Sequence, residues 1–267
     1  MKPSVVIAGT RGSVPVSKKE GLYYGGATLS VFLRLAGQSM VLDAGIGILD
    51  LPSFLKENEN DIPILLSHPH ADHLLGLPMC PVLFDAQKTL RIYGAERNGL
   101  TVQEQLRTLM SPPLWPVLPE EVGAALTFHP MEDSFDIGPI HVDTMEGIHP
   151  GGVTVFRLSG GGTSVVYMTD CTLTDSFFPK AAEFAKDCDL LLCDGQYNED
   201  EWAEHSCFGH NTWVTAARLA AAAHVKKARV IHHAPFRTDA ELDAAAKDLT
   251  DIHPGCAFAR AGEEILL

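Results

Sequence analysis

The sequence predicts an α/β domain over residues 1–267. Two positive features lead there: short β-like runs dominate the first two thirds, and strands alternate with amphipathic helices in the last third. The third is an absence. No Pro/Gly/Ser-rich linker or low-complexity tract interrupts the chain, so its elements are expected to share one domain.

In order, the expected strands are SVVIAG (4–9), LSVFLRL (29–35), SMVLDA (39–44), IPILLS (62–67), LRIYG (90–94), ALTFHP (125–130), IHVDTM (140–145), VTVFRLS (153–159) and SVVYMTD (164–170). Each is rich in β-branched or large apolar residues. Segment 95–124 reads as a helix and a proline-rich loop, a candidate lid or substrate wall. DLLLCDG (189–195) and ARVIHH (228–233) are further strands. Between them, NTWVTAARLAAAAH (211–224) is an alanine-rich helix with Asn211 as its expected N-cap. DAELDAAAKDLTDI (239–252) is a second helix, with Thr238 and Glu241 at capping-box spacing.

Composition narrows the function classes. Hydrophobic residues are 46% and charged residues 20% of the chain, ordinary for a globular protein. No apolar run reaches the ~18–20 residues of a membrane span, and MKPSVVIAGTRGS reads as a first strand rather than a secretory signal. A cytoplasmic location without a membrane partner is expected. The net charge of −14 argues against long nucleic acid, which calls for a basic face. The six cysteines form no CxxC pair, which fits a reducing compartment. Cys188 and Cys193, on either side of DLLL, read as small buried hydrophobes. Nothing in the sequence fixes the oligomeric state, and a homo-oligomer is compatible with it.

The chemistry concentrates in SHPHADHLLGLP (67–78). Alternate side chains of an extended segment point the same way, so His68 and His70 can converge on one point. Asp72 and His73 follow at the turn and can reach a second point nearby. Neutral imidazoles and a carboxylate suit zinc, manganese or iron(II). The isolated His129, His205, His224 and His253 read as structural. Active sites of layered α/β folds gather at strand ends, and three more residues stand there: His149 after IHVDTM, Asp170 ending SVVYMT, and His232 ending ARVI. With the cluster they make a ligand set large enough for two ions sharing one carboxylate.

HPHADH matches the HxHxDH signature of the metallo-β-lactamase superfamily, and the sequence resembles that family over essentially its whole length. GTRGSVPVS (9–17) with YGGATLS (24–30) is similar to the opening of a subfamily near ribonuclease Z and the small-molecule phosphodiesterases. VLDAG, SPPLWPV, HPGG, YMTD, DGQYNEDEW, GHNTW and HHAPFRTD then follow in the family's order. The resemblance implies a four-layer αββα sandwich. It also implies one metal held by His68, His70, His149 and Asp170, and a second held by Asp72, His73, Asp170 and His232. Asp170 would be the bridge and zinc the first expectation.

Within the superfamily, flavodiiron oxidoreductases carry glutamate where His70 stands, so redox chemistry is not expected. The commonest zinc β-lactamases use cysteine where Asp170 stands, and Cys171 is one residue out of register. In ribonuclease Z-like sequences the ligand stands three residues before a proline in this motif, so the resemblance with Pro235 implies His232 rather than His233 as the ligand, leaving His233 to support or pack. The related families place a histidine in a motif like that of His210, which sits before a helix and could donate a proton to a leaving alkoxide. Asp72 and His210 are thus the expected catalytic residues, while Asp43 and Asp194 are expected to orient ligands. Gly9, Gly12, Gly25 and Gly26 permit tight turns near the site. Ala27 and Ala234 replace an Asn and an Asp usual in the relatives, which bears on the substrate.

The expected activity is hydrolysis of a small phosphodiester or cyclic nucleotide by water activated between two metals. The alternatives are an RNA 3′-processing nuclease, a thioesterase or lactonase, and a non-catalytic binding protein. The intact ligand set weighs against the last.

Overall fold

The computed structural model describes residues 2–267. Two seven-stranded sheets stack face to face. The first holds β1 (Ser4–Gly9), β2 (Ser30–Leu35), β3 (Gln38–Leu42), β4 (Asp61–Leu66), β5 (Thr89–Gly94) and β6 (Ala125–Pro130). The second holds β7 (Ser134–Ile137), β8 (Ile140–Gly147), β9 (Val153–Gly160), β10 (Thr163–Met168), β11 (Leu190–Asp194), β12 (Lys227–Ile231) and β13 (Cys256–Phe258). The last strand, β14 (Glu263–Leu266), returns to the first sheet and pairs antiparallel with β1. The helices are α1 (Leu51–Phe54), α2 (Ala71–Leu74), α3 (Val102–Leu109), α4 (Phe178–Ala185), α5 (Trp202–His205), α6 (Trp213–Ala222) and α7 (Asp239–Ile252).

Side-chain alternation explains the layers. In β10, Val165 and Tyr167 enter the core between the sheets, while Val166 and Met168 face outward into a second core. Ala216, Ala217, Leu219 and Ala220 of α6 and Leu242, Ala245 and Leu249 of α7 fill that outer core with α4. On the other side, Val102 and Leu106 of α3 cover the outer face of the first sheet. The result is the expected helix–sheet–sheet–helix sandwich. Burying a side chain such as Leu242 or Leu249 stabilises by about 1.5–3 kcal/mol, so these helices are held by packing.

The strands with ligand-type residues run parallel. β3 to β6 form one parallel block and β10 to β13 another. β8 points the same way as β10, because both are antiparallel to β9. The ends of β4, β8, β10, β11 and β12 therefore open on one edge of the sandwich. That common edge assembles residues far apart in sequence.

Two local expectations need correction. Thr212, not Asn211, caps α6, its hydroxyl accepting from Thr215 N–H. Asn211 is buried and spends its side chain on Leu173 N–H and the Cys171 carbonyl. The proline-rich segment after α3 is not placed as a lid: Trp115 packs on the core beneath α3, outside the first sheet, and Ala124 and Ala125 bond to Leu83 and Lys88 beside the start of β5. That is the sheet edge opposite the histidines. By contrast, α7 begins as expected, with Thr238 and Glu241 forming a reciprocal capping box.

Candidate metal centre

At the open edge, His68, His70, His149 and Asp170 bring donor atoms within 4.8 Å of one another, as do Asp72, His73, Asp170 and His232. Asp170 belongs to both groups, and its oxygens divide between them. Oδ2 lies 3.6 Å from His68 Nε2 and 3.9 Å from His149 Nε2. Oδ1 lies 3.3 Å from His73 Nε2 and 3.1 Å from His232 Nε2. Asp72 Oδ2 completes the second group, 3.1 Å from His232 Nε2 and 3.4 Å from His73 Nε2.

The hydrogen bonds behind the rings decide which nitrogen faces inward. His73 gives its Nδ1–H to Asp43 at 2.7 Å, and His232 gives its Nδ1–H to Gln196 Oε1 at 2.8 Å. His149 Nδ1 bonds to the Gly209 carbonyl at 3.0 Å, and His68 Nδ1 bonds to Ser67 Oγ at 3.0 Å. Each bond leaves Nε2 as a lone-pair donor, the arrangement a metal-ligating histidine adopts. His70 differs, presenting Nδ1, which lies 3.0 Å from His149 Nε2. The donors thus point at each other rather than at partners. Nε2 of His68 and of His73 are buried without a hydrogen bond, a costly condition that a cation relieves. By this test the residues fit a pair of divalent ions.

The electrostatics agree. Burial, then His73, holds the His68 imidazole well below the ordinary histidine range, which favours the neutral ring that a metal would need. Burial also lowers His70 and His149. Burial works against ionising Asp170, but His232 and His73 overcome it and keep the carboxylate charged. For His73 the order reverses: burial lowers it, yet Asp170, Asp43 and Asp72 together hold it well above its usual value.

The backbone pays a conformational cost for this convergence. Asp170 and His232 both adopt left-handed φ values, 45° and 64°, just past their strands. Asp43 does the same after β3, at 58°. Non-glycine residues rarely sit there, and such strain collects at functional sites. Two glycines make room for ligand rings. A Cβ on Gly12 would lie 2.2 Å from the His232 ring, and one on Gly209 would lie 2.2 Å from His149 Nδ1.

His210 stands beside the cluster, stacked on His232 with ring centres 4.8 Å apart. Its Nδ1 donates to Asp194 Oδ2 at 2.7 Å. Burial lowers it, but Asp194 raises it further, to about 9. The neighbouring carboxylates therefore favour the protonated ring. Asp194 is fully buried and also accepts the amides of Gln196 and Asn211. Asp43 stands behind His73. His233 turns to the other side, as alternation requires: its Nε2 donates to the Ala259 carbonyl at 2.8 Å, and its ring lies between Tyr24 and Phe258. It packs rather than supports a ligand. Cys171 is buried, its thiol pushed up to about 12 by burial, and is in neither donor group.

Several supporting residues escape a sequence reading. Ser67 links Asp43 to His68, Gln196 holds His232, and the Ser13 amide holds Asp72 Oδ2 at 2.7 Å. Tyr167 reaches Asp43 at 2.6 Å. One signal was available for Ser67 and Gln196: polar residues within two positions of strand-end acids or histidines. Ala27 and Ala234 contribute backbone carbonyls to Arg11 and its neighbour Thr10.

Comparisons with known proteins extend this geometry. A family model described as a beta-lactamase superfamily domain matches residues 39–233. A probable metallo-hydrolase, YhfI of Bacillus subtilis, is 25% identical over 253 residues, 91% of this chain and 92% of its own. Ribonuclease Z of Treponema pallidum is 25% identical, over 97% of this chain and 96% of its own. The crystal structure of YhfI superposes with a TM-score of 0.75 at 22% identity, over 99% of both chains. A diphosphatase of the PhnP family gives 0.71 at 17% identity, over 100% of this chain and 98% of its own. At these identities the structural likeness is one of fold.

Proposed function

The chain belongs to the beta-lactamase superfamily, and from that premise we propose that it is a metal-dependent hydrolase of a small phosphodiester, a cyclic nucleotide first among them. The observation that carries this reading is Asp170, whose two oxygens face two separate donor groups. His68, His70, His149 and Asp170 would hold one ion, and Asp72, His73, Asp170 and His232 the other. When bound, a pair of divalent ions supplies Lewis acidity to a water nucleophile and to the phosphoryl group. Zinc suits the mixed nitrogen and oxygen donors best, and manganese or iron suits them too.

The remaining chemistry belongs to the protein. His210 carries a proton on Nδ1 held by Asp194, while its Nε2 has no hydrogen bond among the described residues. In this reading it would protonate the leaving oxygen from Nε2. Asp194, anchored by two backbone amides, keeps the ring cationic and fixes its plane. The Ser13 amide steadies Asp72 facing His73 and His232.

The surroundings favour a small substrate over a long polyanion. Val14, Ile148 and Phe208, each within two residues of a site residue or its support, are exposed apolar groups. Glu199, Asp200 and Glu204 are exposed on the segment leading to His210. The guanidinium of Arg97, near the His149 loop, is already spent on Glu146. With 20 Lys and Arg against 34 Asp and Glu, the average field repels RNA. The free, disulfide-less cysteines fit the cytoplasm. No helix among the described residues is long and apolar enough to cross a membrane.

The test is a hydrolysis screen with added zinc or manganese, run beside filter binding of precursor transfer RNA across salt concentrations. Cyclic nucleotides, linear dinucleotides, a nitrophenyl diester, RNA, thioesters and lactones enter the screen. Turnover of small diesters with weak salt dependence is expected. Submicromolar RNA binding that falls steeply with salt, without small-diester turnover, would replace this reading with RNA processing. Turnover of thioesters or lactones alone would replace it with carbon-ester hydrolysis.

A further inference from the structure

We propose that Tyr167 is a positioning residue of the metal centre, whose hydroxyl reaches across from the second sheet and aims His73 by fixing Asp43. The inference rests on the reading that His73 is a ligand. Tyr167 lies on β10 and Asp43 follows β3, so the contact joins the two sheets. Both residues are fully buried.

Asp43 is the hub. Its Oδ1 accepts Ser67 N–H at 2.7 Å. Its Oδ2 accepts three donors: Tyr167 O–H at 2.6 Å, His73 Nδ1–H at 2.7 Å and Ser67 O–H at 2.8 Å. Ser67 comes from the end of β4 and His73 from α2, both on the first sheet's side. Tyr167 is the donor that arrives from the opposite sheet. Without it, Asp43 is held from one side, and its carboxylate plane can tilt. The tilt would pass to the His73 ring, because the two share a single short bond.

Packing alone does not call for a tyrosine here. The ring stacks near Phe156, centres 6.4 Å apart, among apolar residues of the inner core. Phenylalanine would fill the same space. A hydroxyl in that layer is unfavourable unless it is hydrogen-bonded, so the oxygen is explained by its partner. Burial, then Asp43, holds the phenol well above its ordinary range, so it remains a donor. Three residues on, the same chain segment supplies Asp170. β10 therefore delivers both the shared carboxylate and the brace behind His73.

The experiment titrates metal-free wild type, Tyr167→Phe and Tyr93→Phe with zinc by calorimetry against a competing chelator. Tyr93 is a control, since its hydroxyl meets Arg91 rather than Asp43. In Tyr167→Phe, one of two metal equivalents should weaken ~10–100-fold, the range found when a group supporting a ligand is removed. Tyr93→Phe should bind as wild type. In cobalt-loaded protein, the hyperfine-shifted His73 Nδ1–H proton should exchange faster in Tyr167→Phe, a change that lost packing alone would not cause. Should Tyr167→Phe fold poorly, Ser67→Ala removes another donor from the same Asp43 oxygen and the bond to His68. It must also weaken metal binding, and unchanged affinity there would sink the hub. Two wild-type equivalents with an unaltered proton signal in Tyr167→Phe would overturn the inference alone. A wild type that takes up no metal would overturn the metal-centre reading and the inference together.

Discussion

Gly12→Ala should empty one of the two metal positions while leaving the fold intact. A Cβ at residue 12 would stand 2.2 Å from His232 Cε1 and Nδ1 and 2.7 Å from Nε2, where ordinary contact begins at 3.4 Å. The glycine cannot retreat easily, because its amide bonds to the His233 carbonyl at 3.0 Å and Arg11 bridges to the same residue. The ring must therefore move by about 1 Å, and ligand distances tolerate only about ±0.2 Å. Such a shift also breaks the bond from His232 Nδ1 to Gln196. Gly12 has no left-handed φ, so alanine adds no backbone strain and the effect is steric. Elemental analysis after dialysis should fall from about two ions per chain to about one, with the weaker site loosened ~100-fold or more in a chelator competition. Thermal unfolding of the metal-free protein should shift little. Two ions retained at wild-type affinity would show that His232 is not a ligand or that its ring is free to move.

Three further outcomes follow. Asp170→Ala should lower occupancy of both positions and abolish turnover, whereas Cys171→Ser should leave metal content unchanged; the reverse pattern in elemental analysis would mean the register at this strand end is wrong. In metal-free protein, an NMR titration should find the His210 ring protonated up to about 9 and only then losing its proton, and Asp194→Asn should bring that titration down; a normal value in the wild type would remove the electrostatic case for His210 as a proton donor. His233 is held down at about 3 by burial, so the unfolded chain takes up its proton first as pH falls below about 6.5 and the folded state loses stability. Between pH of about 7.5 and 4.5 metal-free wild type should therefore lose about 2.7 kcal/mol more than His233→Gln, read by urea unfolding, and parallel curves would refute it.

What the sequence made legible was local. The capping box at Thr238 and Glu241 and the strand Ser4–Gly9 rest on neighbours in the chain, and both stand where expected. The convergence of the histidine cluster with His149, Asp170 and His232 was legible because each residue follows an apolar run, and parallel strands share an edge. The short strands β13 and β14 were not, since each owes its existence to a distant partner, as Leu266 does to Ser4; β7 is a four-residue arm of a hairpin with β8, too short to show a period of its own. The left-handed turns at Asp43, Asp170 and His232 were also invisible: nothing in an aspartate or histidine announces a strained φ that only tertiary contacts enforce. Asn211 misled for a related reason. Its side chain had two uses, and buried amide partners across the fold outcompeted the helix end.

Arg11 shows what this architecture demands of a chain being synthesised. Its guanidinium is fully buried, and it donates to the carbonyls of Gly21, Gly25, Ala234 and Arg237. The nearest carboxylate oxygen, on Asp239, is 4.0 Å away. Two of those carbonyls follow Arg11 by 10 and 14 residues, and the other two by 223 and 226. Until then a charge meant for the interior has half its partners missing and must stay hydrated. The segment that finally satisfies it is the one that brings His232. Closure of the second donor group thus waits on a late step of translation, and a nascent chain halted before residue 232 would hold the residues of the first group but could not complete the second.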